Sequence, residues 1–276
     1  MAYKNGFISV TCHNAFCRCR RLLKRWNDRR VKSECDIIQV DRLECRITQH
    51  NWAFEKERAQ DILRHWRLSS ERNPSLYDGR ILLAQRIEAD LSDAERILRV
   101  DFFETSFSAF IAWRDFGWPD KTVFNCFSQA AVCAREGAFL LGQMALDHSN
   151  AGAFYFPCGN PDLSDVCPSG MVDLRASLIR ELREETGLEA SEGQEARDWV
   201  IVFDGQRAAC IRRFDWPVAH KALKERVDAF LSAQSQPELA GVVFLKDPAA
   251  LEEIALPPFM KIYLNSAFRS EAGMNF

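Results

Sequence analysis

The sequence predicts an α/β protein in which a mixed β-sheet packs between helices. Segments with strand-like alternation and segments with helical periodicity follow one another irregularly along the 276 residues, without an internal repeat or a low-complexity tract. An apolar fraction of 47% is ordinary for a globular protein. No stretch approaches the ~20 consecutive apolar residues of a membrane span. A single enlarged α/β domain is long enough to hold most of the chain.

Each predicted element follows from a local apolar pattern that is bounded by turn residues. Alternation of apolar and polar residues indicates strands, and apolar residues three and four apart indicate helices. In the first half of the chain the elements are a strand or hairpin at 35–48, a helix at 53–69 capped by Asn51, strands at 81–87 and 97–103, and a helix at 106–115. In the second half they are a hairpin of 124–134 with 138–144, a second hairpin of 199–203 with 208–214, a helix at 220–233, a strand at 241–245 and a helix at 258–268.

The charge of the chain is unevenly placed. The net charge is −3, which gives no case for nucleic-acid binding. Residues 1–34 carry nine Lys and Arg against two acidic residues, a net of +7, so the remainder carries −10. We expect 1–34 to be a basic, poorly ordered extension, with a targeting peptide or an upstream leader as alternatives. Ten cysteines scattered without paired spacing predict reduced thiols and a cytoplasmic location.

The most informative segment is 180–188, which reads Arg-Glu-Leu-Arg-Glu-Glu-Thr-Gly-Leu. At ~100° per residue on a helix, Glu181, Glu184 and Glu185 project within a ~100° arc. Gly187 supplies the left-handed position that ends the helix. Adjacent carboxylates repel one another, and a hard divalent cation with oxygen ligands, Mg²⁺ or Mn²⁺, would compensate. The alternative is a solvated surface helix.

This segment resembles the second half of the Nudix box, in which every fixed position is matched from Arg180 to Leu188. The first half departs from the family pattern, because Val172 stands at the glutamate position and Val166 at the glycine position. In the family that glutamate helps to hold the arginine, and Asp173 or Asp165 could do so here. The residues at 156–159, Phe-Pro-Cys-Gly, look like the Pro-Gly-Gly lead-in to the box, so that 160–170 reads as an enlarged loop.

A narrower resemblance covers 150–166 and 170–174, with weaker matches at 65–66 and 73–79. These segments look like a Nudix sub-branch with an altered, expanded box, to which the vertebrate UDP-glucose diphosphatase belongs. The resemblance implies a Nudix-type α/β/α sandwich with a mixed sheet, enlarged by N-terminal strand and helix elements. Residues 35–276 would form this one domain, with the N-terminal elements at 35–120 and the catalytic core at 121–276.

The resemblance also implies the residues of the site. Glu181, Glu184 and Glu185 would be the metal and catalytic carboxylates, with Arg180 orienting one of them. A further acidic ligand downstream would be Glu238 or Glu225. The residues expected to shape the substrate site are Asn150, Gly152, Tyr155, Asp162 and Asp165, with the alternatives that Tyr155 packs in the core and that the two aspartates cap the turn.

The function that follows from the resemblance is Mg²⁺-dependent hydrolysis of a nucleoside diphosphate linked to another group. The favoured substrate is a UDP-sugar such as UDP-glucose, because the polar loop 160–170 suits sugar hydroxyls if it lines the leaving-group pocket. ADP-ribose and coenzyme A derivatives are the alternative substrates. A non-catalytic nucleotide-binding regulatory module is an alternative of another class, motivated by Val172. The expected partner is a small molecule, neither nucleic acid nor membrane.

Overall fold

The computed structural model describes residues 36–92, 94–145 and 151–271, so the predicted extension at 1–34 and Asn150 lie outside the described residues. The strands are β1 Asp36–Val40, β2 Arg42–Ile47, β3 Arg80–Asp90, β4 Ile97–Ser106, β5 Asn125–Cys133, β6 Phe139–Met144, β7 Phe154–Tyr155, β8 Cys158–Gly159, β9 Gln194–Glu195, β10 Trp199–Asp204, β11 Arg207–Asp215 and β12 Leu239–Leu245. The helices are α1 Ala53–Glu57, α2 Ala59–Arg72, α3 Phe107–Asp115, α4 Leu174–Thr186, α5 His220–Ala233 and α6 Pro258–Glu271. Among the described residues, no helix combines the length and apolarity needed to cross a membrane.

The larger sheet is mixed and has the strand order β1-β10-β11-β5-β6-β12, with the short strands β7, β8 and β9 paired alongside. β11 and β5 run parallel, from the pair Arg207–Asn125 to the pair Asp215–Cys133, whereas the other pairs are antiparallel. Every residue of β5 is buried, as expected for a strand covered on both faces. The two predicted hairpins, β5 with β6 and β10 with β11, are confirmed.

Helices α4 and α6 lie on opposite faces of β5. Phe127 of β5 packs against Phe259 of α6, with 5.7 Å between the ring centroids. Ser128, the next residue, is paired with Gly159 of β8, which lies against Glu181 of α4. Successive residues of a strand point to opposite faces, so the sheet is covered by α4 on one side and α6 on the other. The prediction of an α/β protein with a mixed sheet between helices is confirmed.

The second sheet has three strands in the order β2-β4-β3. The prediction that 35–48 forms one strand or a hairpin is wrong, because β1 pairs with β10 in the large sheet whereas β2 pairs with β4 in the small one. Asp41 separates the two strands. Arg96 holds it there by hydrogen bonds from its backbone and guanidinium, which lower the pKa of Asp41 to about 2.

The predicted helix at 53–69 is divided at Arg58 into α1 and α2. Asn51 is not its cap, because the N-cap position is Trp52, whose side chain makes no capping hydrogen bond. Trp52 is instead buried, with its ring 5.6 Å from that of Trp113 and its Nε1 donating to Asp120. Packing of this aromatic side chain therefore sets the start of the helix, at a position where sequence alone favours a polar cap.

Candidate metal and catalytic site

Helix α4 carries two buried glutamates one turn apart. Asp173 caps its N-terminus by accepting hydrogen bonds from the backbone N–H groups of Arg175 and Ala176 at 3.0 and 2.9 Å. Gly187 ends it with a φ of +65°, as the sequence predicts. Between these ends, Glu181 is 9% exposed and Glu185 is 3% exposed, because both face the sheet with the apolar side of the helix.

Strand β8 approaches these carboxylates so closely that a side chain at residue 159 would displace Glu181. A Cβ atom built on Gly159 would lie 2.2 Å from Oε1 of Glu181. The backbone of the neighbouring Cys158 lies near the Glu185 carboxylate and opposes the rise of its pKa. The lead-in to the box therefore forms one wall of the site with backbone atoms.

A third carboxylate, that of Glu238, completes the cluster. Glu238 immediately precedes β12, and its backbone oxygen accepts a hydrogen bond from the N–H of Ala145 at 2.9 Å. One oxygen each of Glu181, Glu185 and Glu238 can be chosen such that all three lie within 4.8 Å of one another. Glu225 is exposed on α5 and is not a member of this carboxylate cluster.

Glu184 lies at the edge of the site. Its side chain is 52% exposed, and its Oε2 is 3.6 Å from Nη1 of Arg180. The same Nη1 donates to Oε1 of Glu181 at 2.7 Å. Arg180 therefore bridges an inner and an outer carboxylate, while a ligand role for Glu184 stays a prediction.

The carboxylates of the cluster resist ionisation. Burial raises the pKa of Glu181 to about 7; Arg180 opposes this, and the charge of Glu238 adds to it. Burial, with the charges of Glu181 and Glu238, raises the pKa of Glu185 well above its ordinary value. Glu238 is exposed as a residue, but the protein surrounding its carboxylate raises its pKa as well, together with the charge of Glu184. Close carboxylates with little solvent favour either protons or a cation between them.

Asp165 is the partner of Arg180. Nη2 of Arg180 lies 3.2 and 3.4 Å from the two carboxylate oxygens of Asp165, which is 5% exposed. Asp173 caps the helix, so Asp165 rather than Asp173 is the aspartate that holds Arg180. Val172 stands where the Nudix box has a glutamate. It is buried, and its backbone N–H donates a hydrogen bond to the carbonyl oxygen of Cys45.

The enlarged loop folds onto the small sheet. The N–H of Leu82 donates to Pro161 at 2.8 Å, and that of Ile47 donates to Gly170 at 2.9 Å. Asp162 accepts hydrogen bonds from both the N–H and the hydroxyl of Ser164, each at 2.6 Å, so it caps the turn. The carboxylate of Asp165 is buried and is held by Arg180 and by the N–H of Asp162, and a substrate contact at Asp165 stays a prediction. A substrate contact at Asp162 stays a prediction.

Tyr155 lies between Phe259 and Cys158. It is half-buried on β7, with its ring centroid 6.3 Å from that of Phe259. The alternative that Tyr155 packs in the core therefore holds for the buried part of its side chain. Burial raises its pKa, as does the nearby Cys158, which also senses the charge of Glu185. Gly152, with a φ of +73°, lies in the turn before β7, where its N–H donates to Met144 at 3.0 Å. Substrate roles for Tyr155 and Gly152 stay predictions, and Asn150 lies outside the described residues.

Two polar residues of β5 were not predicted to matter. Gln129 is fully buried and is paired in register with Cys158, while Asn125 is 8% exposed and is paired with Arg207. The signal available in the sequence is two carboxamides in a strand whose other residues are almost all apolar or small. Such residues need a polar partner when they are buried.

No family model matches the chain, and no curated protein matches it. Among solved structures, a MutT protein from Methanosarcina mazei Go1 is similar, with 18% identity and a TM-score of 0.35 over 54% of this chain and 95% of that chain. A C. elegans Ap4A hydrolase in a binary complex shows 15% identity and a TM-score of 0.38 over 54% of this chain and 98% of that one. The Nudix domain of Shewanella oneidensis NrtR, complexed with ADP ribose, shows 16% identity and a TM-score of 0.34 over 54% and 88%. At these TM-scores the likenesses assign no residue and no activity to this chain.

Proposed function

We propose that this chain is a Nudix hydrolase that uses Mg²⁺ or Mn²⁺ to cleave the diphosphate bond of a nucleoside diphosphate derivative. The observation that carries the proposal is the cluster of Glu181, Glu185 and Glu238, next to Arg180. Cleavage of a diphosphate requires neutralised charge on the phosphoryl oxygens and an activated water. An acidic cluster with one adjacent, anchored arginine supports that chemistry.

The donor set fits a hard divalent cation. Carboxylate oxygens are the ligands that Mg²⁺ and Mn²⁺ prefer, and three of them converge here. Burial, together with the charges of neighbouring glutamates, raises their pKa values, and a bound cation would oppose that rise. When bound, a cation would supply charge neutralisation at the phosphoryl oxygens and a lowered pKa of water.

The surrounding residues orient the cluster. Arg180, fixed by Asp165, holds the Glu181 carboxylate in one position through the 2.7 Å contact. The backbone of Cys158 lies near the Glu185 carboxylate and favours its ionised form. Glu184 extends the acidic surface toward solvent, where substrate arrives. Fixed ligands of this kind lower the reorganisation needed during the reaction.

Within this class we propose a UDP-sugar such as UDP-glucose as substrate, cleaved to UMP and a sugar 1-phosphate. Its support is the resemblance of residues 150–174 to the sub-branch with the expanded box. The polar side chains of the enlarged loop give less support than expected, because Asp162 and Asp165 have partners within the protein. ADP-ribose and coenzyme A derivatives are the competing substrates of the same chemistry.

The proposal is tested by metal binding and product release. Titration calorimetry with Mn²⁺ should show binding that Glu185→Gln weakens at least ~10-fold and that Glu225→Gln, an exposed acid on α5, leaves unchanged. Hydrolysis of UDP-glucose, ADP-ribose, coenzyme A and nucleoside triphosphates is then measured at one Mg²⁺ concentration. We expect the highest kcat/KM for UDP-glucose and a fall in kcat of at least ~100-fold in Glu185→Gln. A preference for ADP-ribose or coenzyme A would discard the sugar nucleotide and keep the chemistry.

A non-catalytic nucleotide-binding module is the second candidate. The observation that favours it is Val172, a buried apolar residue at the glutamate position of the box. The contact between Arg180 and Asp165 weakens it, since the arginine keeps a carboxylate partner from another position. Binding of Mn²⁺ and nucleotide without turnover of any substrate in the panel would decide for the module.

We also propose a cytoplasmic location and a small-molecule partner. Cys45, Cys126, Cys158, Cys167 and Cys210 are free thiols, which supports a reducing compartment. The net charge of −3 supports the expectation that nucleic acid is not the partner.

A further inference from the structure

β5 carries three polar side chains that are buried, those of Asn125, Ser128 and Gln129. Asn125 and Gln129 lie on the face of β5 that carries Phe127 and is covered by α6, whereas Ser128 lies on the face that is covered by α4. Ser128 is 0% exposed, and its Oγ has no hydrogen-bond partner among the described residues. A buried hydroxyl in this state costs stability that an alanine would not, so its presence calls for another reason.

The register of β8 places Ser128 next to the carboxylate of Glu181. Ser128 is paired with Gly159 in the antiparallel register of β5 and β8. Side chains of directly opposite residues lie on the same face, with Cβ atoms about 4.5–5.5 Å apart. A Cβ atom on Gly159 would touch both carboxylate oxygens of Glu181. The Glu181 carboxylate therefore occupies the space beside the Ser128 side chain, and the glycine places no side chain between them.

The neighbours of Ser128 within the sheet are poor hydrogen-bond acceptors. Its register partner in β11 is Cys210, whose Sγ lies 3.8 Å from Sγ of Cys126. Sulfur accepts hydrogen bonds weakly, and Ala130, two residues along β5, has no polar side chain. A carboxylate accepts strongly, so that of Glu181 is the acceptor that suits the Ser128 hydroxyl.

We propose that the Ser128 hydroxyl is a positioning group, which donates a hydrogen bond to the Glu181 carboxylate when Glu181 ligates a divalent cation. Arg180 donates to Oε1 of Glu181 at 2.7 Å, and a carboxylate can accept from further donors. The hydroxyl proton rotates about the C–O bond, so Ser128 can supply a second donor from the side of the sheet. Donors of this kind orient the residues that hold a metal ion. This inference rests on the proposed hydrolase function and adds a residue to its metal site.

The test is Ser128→Ala in the full chain, because alanine removes the hydroxyl and adds no atom. We expect calorimetry to show an affinity for Mn²⁺ about 10-fold lower than that of the wild type. At saturating Mg²⁺, kcat for UDP-glucose should fall about 10-fold with little change in KM. The melting temperature in EDTA should stay the same or rise, because the unpartnered hydroxyl is gone. Ser128→Cys, with a weak donor of similar size, should recover little of the Mn²⁺ affinity.

Thr105→Val is the matched control. Thr105 is fully buried in β4 of the small sheet, and its hydroxyl also lacks a partner in the part of the chain that the structure describes. Its replacement should leave the Mn²⁺ affinity and kcat unchanged, while the melting temperature in EDTA stays the same or rises. A loss of Mn²⁺ affinity in Ser128→Ala alone would tie the loss to the position beside Glu181, whereas an equal loss in both variants would contradict the proposal.

The outcomes distinguish this inference from the function on which it rests. If the wild-type protein turns over no member of the substrate panel, the hydrolase proposal fails, and the Mn²⁺ affinities still decide the role of Ser128. If the wild type is active and Ser128→Ala keeps its Mn²⁺ affinity and kcat, the hydrolase stands and the positioning role is overturned. A fall of several degrees in the melting temperature of Ser128→Ala in EDTA would also overturn that role, because a weakened fold would then account for the loss of affinity.

Discussion

The contact between Asp165 and Arg180 gives the sharpest prediction about this site, through the substitution Asp165→Asn. The change removes the negative charge opposite Arg180 while keeping the size of the side chain. Asp165 is almost fully buried and Arg180 is 28% exposed on its side chain, so the pair is largely shielded from water. Removing one partner of a buried pair costs about 3–5 kcal/mol.

The expected cost here is smaller than that range. Arg180 keeps Glu181 at 2.7 Å and part of its solvent contact, so we expect a loss of about 2 kcal/mol in the free energy of unfolding. For a chain of this size that corresponds to a fall in melting temperature of about 4–8 °C. Loss of the group that orients a ligand-holding residue lowers metal affinity or activity by about 10- to 100-fold.

The assay compares Asp165→Asn with Asp173→Asn. Asparagine caps a helix as well as aspartate does, so Asp173→Asn should leave both the melting temperature and kcat nearly unchanged. Thermal unfolding and the UDP-glucose assay are run on both variants at saturating Mg²⁺, and Asp165→Glu should recover part of the activity. Wild-type kinetics in Asp165→Asn, or a larger loss in Asp173→Asn, would refute the assignment of Asp165.

Three further predictions follow from the same geometry. Gly159→Ala should weaken Mn²⁺ binding, because the added Cβ displaces the Glu181 carboxylate. Gly241→Ala is the control and should leave Mn²⁺ binding unchanged, because a Cβ at residue 241 would meet no neighbouring atom. Equal Mn²⁺ affinities of the two variants by calorimetry would contradict the prediction. In EDTA, the free energy of unfolding, measured by urea titration, should fall as the pH rises from 5 to 8. The cause is the raised pKa of Glu181, because the folded state then binds the proton of Glu181 more tightly than the unfolded chain does. If the free energy of unfolding of Glu181→Gln fell equally with pH, Glu181 would not be the source of the effect. The fragment 35–276 should keep the melting temperature and turnover of the full chain, and a loss of several degrees would show that the basic segment is structural.

The local elements of the fold could be predicted from sequence, whereas the partners of the strands could not. Hairpins with a turn glycine, such as β10 with β11 around Gly205, are specified by neighbouring residues. The division of 36–47 between two sheets is not, because β1 and β2 have similar patterns and their partners lie more than fifty residues away. Tertiary packing of Trp52 likewise outweighed a local capping signal.

The same limit applies to the site. Glu181 and Glu185 could be predicted to share a helix face, since their spacing is one turn. The convergence of Glu238 and Asp165 on that face depends on β12 and on the loop after β8, and no periodicity relates them to α4. Ser128 belongs to no motif, and only burial without a partner distinguishes it.

The chain passes from the large sheet to the small sheet at Asp41, and this passage limits where the protein can be cut into fragments. β1 is the outer neighbour of β10, and the chain continues from it within one residue into the small sheet. A cut near residue 120 would leave 121–276 with an uncovered β10, whose free N–H and C=O groups invite pairing with another molecule. Residues 36–47 thus connect the two sheets, with one strand in each. We therefore expect the fragment 121–276, which carries the carboxylates, to aggregate when it is expressed without residues 36–47.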